Sequence, residues 1–203
     1  FGELQPLLEK VLAQESKDDS INELAVTARG LAKAAEILAG HFTLVATNVP
    51  YLGRGKQDEV LKAYCERVYP EAKADLATCF VKRCLDFCAT DGNTVLVTPQ
   101  NWLFLGTYED MRRQLFKKFS WNFVARLGSK AFQTPMWDFG IALVSLLRST
   151  PDPDHRIAGV DVGSNINSED KSDGLHSLKI ELVGQQNQLN NPDAALNFVE
   201  MTN

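Results

Sequence analysis

Apolar residues recur at helical spacing through the first forty residues of the chain, in two runs that a polar stretch at residues 16–20 separates. Such spacing places apolar side chains on one face of a helix. Gly40 follows the second run, at the kind of position where helices commonly end. The sequence therefore predicts a helical lead-in over residues 1–40, built on Leu4, Leu7, Leu8, Val11 and Leu12 in the first run and Leu24, Leu31, Ile37 and Leu38 in the second.

Two short apolar runs that are rich in β-branched residues predict buried strands. The first, F-T-L-V-A-T, spans residues 42–47 and leads into N-V-P-Y, and the second, T-V-L-V-T-P, begins at Thr94. Helical periodicity occupies the chain between and after them, at residues 57–68, 72–88 and 108–118. This alternation of strands and helices is typical of an α/β fold with a parallel sheet.

The second half of the chain departs from this alternation. The apolar runs S-W-N-F-V-A-R-L and F-G-I-A-L-V-S-L follow each other with a loop and no helix, which predicts an antiparallel pair at one edge of the sheet. Residues 149–173 are rich in Pro, Asp, Ser and Asn and predict a loop or mobile linker, with one further strand at residues 178–183. We therefore divide the chain into the lead-in (1–40), a main α/β domain (41–148) and a loop-rich extension (149–203).

Charge and composition narrow the classes of function. The net charge of −5 argues against a protein that binds nucleic acid by itself, because neutralised phosphates supply most of the nonspecific affinity. A local excess of positive charge on the predicted helix at 108–118 is either a solvated face or a phosphate contact, and it comprises Arg112, Arg113, Lys117 and Lys118. No apolar run reaches about 18 residues and no signal-peptide pattern is present, so we expect a soluble, cytoplasmic protein without membrane association.

Cysteine and histidine spacing does not indicate a metal site. All four cysteines fall in helix-like segments and lack the paired spacing of zinc ligands, so we expect reduced thiols in or near the core: Cys65, Cys79, Cys84 and Cys88. The three histidines are isolated along the chain, at His41, His155 and His176. We therefore predict a protein without a bound metal.

Polar and aromatic residues follow the first predicted strand, where ligands bind in open α/β sheets. They are Asn48, Val49, Pro50 and Tyr51. An amide acceptor, a stiff turn that exposes the preceding carbonyl and a flat ring together suit a planar base held by its amino edge and its face. Chemistry on a flipped base requires such a site. Taken alone, an Asn-x-Pro turn after a strand usually serves only as a turn. The second strand end, T-P-Q-N-W, expected at the same sheet edge, is what favours chemistry.

Three ordered stretches of the chain resemble the adenine-specific (N6) DNA methyltransferases of gamma-type motif order. They are V-A-T-N-V-P-Y-L-G-R-G-K, A-K-A-D-L-A-T-C-F-V-K-R-C-L-D-F-C and N-T-V-L-V-T-P-Q-N-W-L-F-L. The resemblance is strongest to the large single-chain enzymes of type II restriction-modification and BREX phage-resistance systems. It implies the C-terminal half of a Rossmann-like sheet that uses S-adenosylmethionine. The usual tetrapeptide is N-P-P-Y, and here Val49 stands in place of its first proline.

The resemblance also implies roles for individual residues. Asn48 and the Val49 carbonyl would accept hydrogen bonds from the target amino group, and Tyr51 would stack on the flipped adenine. Asp75 and Leu76 fall where the family contacts its cofactor, although the helix macrodipole equally explains an Asp at that position.

Trp102 and Phe104 follow the second predicted strand and are candidates for the wall of the base pocket. Packing in the core is the alternative role for both rings.

The implied cofactor loop, rich in glycine, has no counterpart in residues 1–47, so we expect a fragment that is inactive alone and binds S-adenosylmethionine weakly. Double-stranded DNA is the implied substrate, and subunits of a restriction or phage-defence system are the implied partners.

Two alternatives stay open. One is a non-catalytic DNA-binding or assembly module whose site has decayed at Val49, and the other is methyl transfer to an amino group of protein or RNA.

Overall fold

The computed structural model describes residues 19–132, 139–165 and 167–198. The chain divides into two compact units, Phe1–His41 and Phe42–Asn203. Among the described residues, no helix is long and apolar enough to cross a membrane.

The first unit contains one described helix, α1 (Asp19–Ala39). It ends where Gly40 donates its N–H to the Ile37 carbonyl at 3.1 Å. The second predicted helix of the lead-in is therefore confirmed, with Gly40 directly after its last residue. The first predicted helix lies outside the described residues.

In the part of the chain that the structure describes, the second unit is built on a mixed sheet of six strands in the order β1-β2-β4-β3-β5-β6. Its strands are β1 (Phe42–Asn48), β2 (Cys88–Pro99), β3 (Ser120–Gly128), β4 (Ile141–Leu147), β5 (Arg156–Asp161) and β6 (Glu181–Gly184). Its helices are α2 (Glu59–Val68), α3 (Leu76–Phe87), α4 (Glu109–Lys118) and α5 (Ser168–Ser177). The α/β class predicted from the alternation of periodicities is confirmed.

Strand direction brings four strand ends to one side of the sheet. β1, β2, β3 and β5 run in one direction, whereas β4 and β6 run in the opposite direction. The ends of these four strands form what we call the carboxyl edge. Ligands of open α/β sheets bind at such an edge, which makes it the place to search for a site.

The antiparallel pair is present but lies inside the sheet. β4 pairs with both β2 and β3, and β5 and β6 continue the sheet beyond β3. The expectation of a loop or mobile linker over residues 149–173 is wrong, because β5 and most of α5 fall there. β5 has only six residues and is flanked by polar residues, so the composition of this region indicates a loop. The strand forms because it pairs with β3.

The expectation that the first strand is buried is also wrong for the described chain. β1 is the first strand of the sheet and pairs only with β2 among the described strands. Its apolar side chains are therefore largely exposed, as Leu44 shows at 58%. β2 lies inside the sheet and meets the expectation, since Thr94, Leu96 and Thr98 are buried.

Among the residues that the structure describes, two clusters of buried side chains form the core of the second unit. Val124 belongs to the larger cluster and its neighbour Ala125 to the smaller one, and successive residues of a strand point to opposite faces. The clusters therefore occupy the two faces of the sheet. The larger one centres on aromatic rings, with Trp121 at 4.5 Å from Phe116 and 5.5 Å from Trp102 between ring centroids.

The positive charge on α4 is not a uniform solvated face. The Arg112 side chain is fully buried, and all its hydrogen bonds within the described residues go to backbone carbonyls. Its partners are Trp102 at 2.6 Å, Leu105 at 2.8 Å, Asp193 at 2.7 Å and Ala194 at 3.1 Å. Arg112 therefore joins three parts of the chain, and both roles considered for it from the sequence are wrong.

The other basic side chains of α4 are more accessible. Arg113 pairs with Glu109 at 2.7 Å and also donates to the Leu189 carbonyl at 3.0 Å. Lys117 and Lys118 are exposed, so a solvated face describes the end of the helix.

All four cysteines are free thiols and buried, as predicted. Burial raises the pKa of the Cys84 thiol to about 11, which keeps it protonated at neutral pH. Within the described ranges, no three or more His, Cys, Asp or Glu side chains are grouped closely enough to hold a metal ion. The absence of a bound metal in the protein stays a prediction.

Candidate active site

The tetrapeptide at residues 48–51 lies where β1 ends at the carboxyl edge. Asn48 is the last residue of β1 and pairs in register with Val97. Val49 is buried and donates its N–H to the Val97 carbonyl at 3.2 Å. A proline at this position has no N–H and could not make this bond. Val49 lacks the ring that would stiffen the backbone, but its hydrogen bond holds it to the neighbouring strand.

The side chains of Asn48 and Tyr51 are joined. The Tyr51 hydroxyl donates to the Asn48 Oδ1 at 3.1 Å. Burial raises the pKa of Tyr51, so its hydroxyl stays protonated and keeps this role as donor. An amide oxygen has two lone pairs, so Asn48 retains capacity to accept a second hydrogen bond from a ligand.

A second aromatic ring lies beside Tyr51 that the sequence analysis missed. The centroid of the Phe139 ring is 6.3 Å from that of Tyr51, with an angle of 51° between the planes. Phe139 is 51% exposed and precedes β4, although the run F-G-I-A-L-V-S-L predicted a place inside the strand. Tyr51, which is hydrogen-bonded to Asn48, therefore has a second aromatic side chain beside it.

Asp75 connects the loop after β1 (residues 49–53, here called the site loop) to the start of α3. Its Oδ1 caps the helix by accepting from the Ala77 N–H at 2.8 Å, and it also accepts from the Leu52 N–H at 3.3 Å. The Leu52 carbonyl in turn accepts from the Leu76 N–H at 3.0 Å and from the Gln57 Nε2 at 2.9 Å. The residue that follows the tetrapeptide is therefore held at both its amide and its carbonyl.

The two aromatic candidates after β2 lie in different environments. Trp102 is 1% exposed and donates its Nε1 to the Thr98 Oγ1 at 3.0 Å. Its ring is part of the core, which is the alternative role considered for it. A place for Trp102 in the wall of the base pocket stays a prediction. Phe104 is half-buried, and the guanidinium carbon of Arg126 lies 5.3 Å from its ring centroid.

A polar cleft of about 520 Å³ lies along the carboxyl edge. An ion pair between Arg126 and Asp161 at 3.1 Å lies in it, at the ends of β3 and β5. The contribution of β5 is not apparent from the sequence, because the polar residues around this strand indicate a loop. The lining residues are Gln100, Asn101, Arg126, Gly128, Ser129, Gly140, Asp161, Gly163 and Ser164.

Comparison with known proteins assigns the chain to a family. Residues 4–132 match the Eco57I restriction-modification methylases. The chain belongs to this family. The resemblance to adenine-specific DNA methyltransferases that the three ordered motifs carried is therefore confirmed.

Two curated relatives of this Eco57I-family chain are adenine-specific methyltransferases. PglX of Lacticaseibacillus casei (strain Zhang) is 30% identical over 107 residues, covering 52% of the chain and 9% of PglX. BrxX of Escherichia coli O9:H4 (strain HS) is 32% identical over 98 residues, covering 48% of the chain and 8% of BrxX. The matched part of the chain thus corresponds to less than a tenth of either relative.

Solved structures share the fold of this Eco57I-family chain. DrdV in its complex with DNA has a TM-score of 0.61 at 20% identity, over 79% of this chain and 19% of that one. A nuclease-deletion mutant of LlaGI with a DNA substrate mimic has a TM-score of 0.57 at 16% identity, over 93% and 20%. A type I methyltransferase subunit from Streptococcus thermophilus has 0.53 at 14% identity, over 79% and 38%. These likenesses confirm the Rossmann-like fold of the sheet.

Proposed function

We propose that the site formed by Asn48, Val49 and Tyr51 transfers a methyl group to the exocyclic amino group of adenine in DNA. The observation that carries the proposal is the grouping of an amide oxygen, a backbone carbonyl and an aromatic ring where β1 reaches the carboxyl edge. We assign the transfer to the complete gene product, because the matched part of this chain spans less than a tenth of either curated relative.

The two acceptors have a chemical role that follows from their geometry. Hydrogen bonds from the amino group to the Asn48 Oδ1 and the Val49 carbonyl would fix its two protons and direct its lone pair out of the ring plane. Positive charge develops on that nitrogen as it attacks, and oxygen dipoles already in place stabilise this charge. Tyr51 would hold the face of the base, with Phe139 as a second aromatic neighbour and Pro50 stiffening the turn.

S-adenosylmethionine would supply the methyl group on a positively charged sulfur. Asp75 and Leu76 are the proposed contacts, at the N-terminus of α3 beside the site loop. Asp75 fits this role in part, because its Oδ1 already accepts two N–H groups while its Oδ2 accepts none in the described part of the chain. The main cofactor-binding loop is proposed to lie upstream of this chain.

Phe104 remains a proposed contact to the base.

Double-stranded DNA is the proposed substrate. The net charge of −5 requires that additional positive surface come from other parts of the complete protein or from partner subunits. We propose a cytoplasmic restriction-modification or phage-defence system as the setting, in line with the family and the two relatives.

One observation favours a second candidate function. Val49 departs from the usual N-P-P-Y tetrapeptide, which would fit a DNA-binding or assembly module whose catalytic site has decayed. The hydrogen bond from Val49 to β2 argues for the enzyme, because it keeps the position ordered.

Transfer of a radiolabelled methyl group tests the proposal. The complete gene product, incubated with labelled S-adenosylmethionine and unmethylated DNA, should label adenine, and its Asn48→Ala variant should not. Thr43→Ala serves as the control, because Thr43 is an exposed residue at the opposite end of the same strand. Absence of label with a folded, cofactor-binding parent would favour the decayed module, and equal label with Asn48→Ala would refute the assigned site.

A further inference from the structure

The hydrogen-bond ladder between β1 and β2 stops at a defined position. In this parallel pair Val97 presents its backbone groups to β1, since its carbonyl accepts from the Val49 N–H at 3.2 Å. Backbone groups of a strand alternate in direction, so residue 99 presents its amide nitrogen to β1 as well. In a regular ladder the next bond would run from the amide of residue 99 to the Val49 carbonyl.

Residue 99 is a proline, which has no N–H to donate. The bond therefore cannot form, and among the described residues no hydrogen bond uses the Val49 carbonyl. The pairing of β2 with its other neighbour is not interrupted, because the Gln100 N–H donates to the Gly140 carbonyl at 2.8 Å. Pro99 thus ends the ladder on the side of the site and leaves it intact on the other side.

The combination with Val49 gives this proline its importance. The Val49 N–H already donates to the Val97 carbonyl of β2. An N–H at position 99 would donate to the carbonyl of the same Val49. That carbonyl would then be turned into the plane of the sheet, with one of its lone pairs occupied.

We propose that Pro99 is a positioning residue that keeps the Val49 carbonyl free to accept a hydrogen bond from the substrate amino group. This inference rests on the proposed function of the site. Pro99 acts through Val49 and does not touch the reacting atoms, so its effect should fall on the rate of transfer.

The test compares two replacements in the complete gene product. Pro99→Ala introduces an N–H and should lower kcat by about tenfold, with the KM for DNA and for S-adenosylmethionine nearly unchanged. Replacing residue 99 by lactic acid through nonsense suppression gives the same side chain without the N–H, and it should restore kcat. This replacement turns the bond between residues 98 and 99 into an ester, which makes the Thr98 carbonyl a weaker hydrogen-bond acceptor. That carbonyl faces β4 and not Val49, so the change should not affect the site.

Hydrogen exchange of the new amide at position 99 provides a readout that is independent of activity. Slow exchange of this amide in Pro99→Ala would show that the extra bond forms. Equal losses of kcat in the two replacements, or full activity in Pro99→Ala, would overturn the inference. If the parent itself transfers no methyl group, the proposed function fails separately. Exchange then decides the structural part, with protection supporting the added bond and rapid exchange refuting it.

Discussion

Tyr51 contributes two separate groups to the candidate site. Its ring lies 6.3 Å from Phe139 between centroids, and its hydroxyl orients the Asn48 side chain through a hydrogen bond of 3.1 Å. The sequence predicted the ring as a stacking surface, but it contained no indication of the bond to Asn48. The two contributions can be separated by substitution because phenylalanine keeps one and removes the other.

We expect Tyr51→Phe to slow methyl transfer by a few-fold and Tyr51→Ala to slow it far more. The first loses a hydrogen bond with a net value of about 1 kcal/mol, and the second also loses base stacking worth about 1–3 kcal/mol. Single-turnover methylation of an oligonucleotide duplex measures both. Similar rates for the two variants would show that the ring does not contact the base.

At the scale of elements, the start of α3 and the loop after β1 form one unit. Asp75 serves both, as N-cap of α3 and as acceptor for the Leu52 amide. Asp58 caps α2 in the same way, accepting from the Leu61 N–H at 2.8 Å, and makes no hydrogen bond to the tetrapeptide within the described ranges. The chain therefore contains its own control for separating helix capping from positioning of the site.

Asp75→Ala and Asp58→Ala should each lower stability by about 1 kcal/mol, which is typical for loss of an N-cap. Only Asp75→Ala should also lower kcat, because it releases Leu52 next to the tetrapeptide. Urea unfolding and steady-state methylation of both variants check this expectation. A fall in kcat of the same size in Asp58→Ala would show that general destabilisation is the cause.

At the scale of the whole second unit, Arg112 joins segments that are distant in sequence. Its guanidinium binds carbonyls near the end of β2 and carbonyls at Asp193 and Ala194, some eighty residues along the chain. Buried carbonyls that lose their donor keep their full cost of desolvation. The contact therefore couples the segment after β2 to the C-terminal part of the described chain.

Arg112→Met should destabilise the second unit by about 3 kcal/mol, because a buried guanidinium loses four contacts to carbonyls together, two of them buried and two part-buried. Lys117→Met on the same helix should change little, since Lys117 is exposed. Amide exchange in α4 and β2 and the midpoint of thermal unfolding report the difference. Equal behaviour of the two variants would mean that other packing holds these segments together.

The sequence by itself determined the local features of this protein. Periodicity located α1 to α4, and short apolar runs located the first four strands and, in part, β6. The motif at residues 48–51 marked the end of β1, since helix faces, strands and turns depend on neighbouring residues. Tertiary structure decided the rest. The place of β4 between β2 and β3, the strand at β5, the exposure of β1 and the partners of Arg112 all depend on contacts between distant segments. The free carbonyl of Val49 likewise depends on which residue of β2 lies opposite it, which no local pattern specifies.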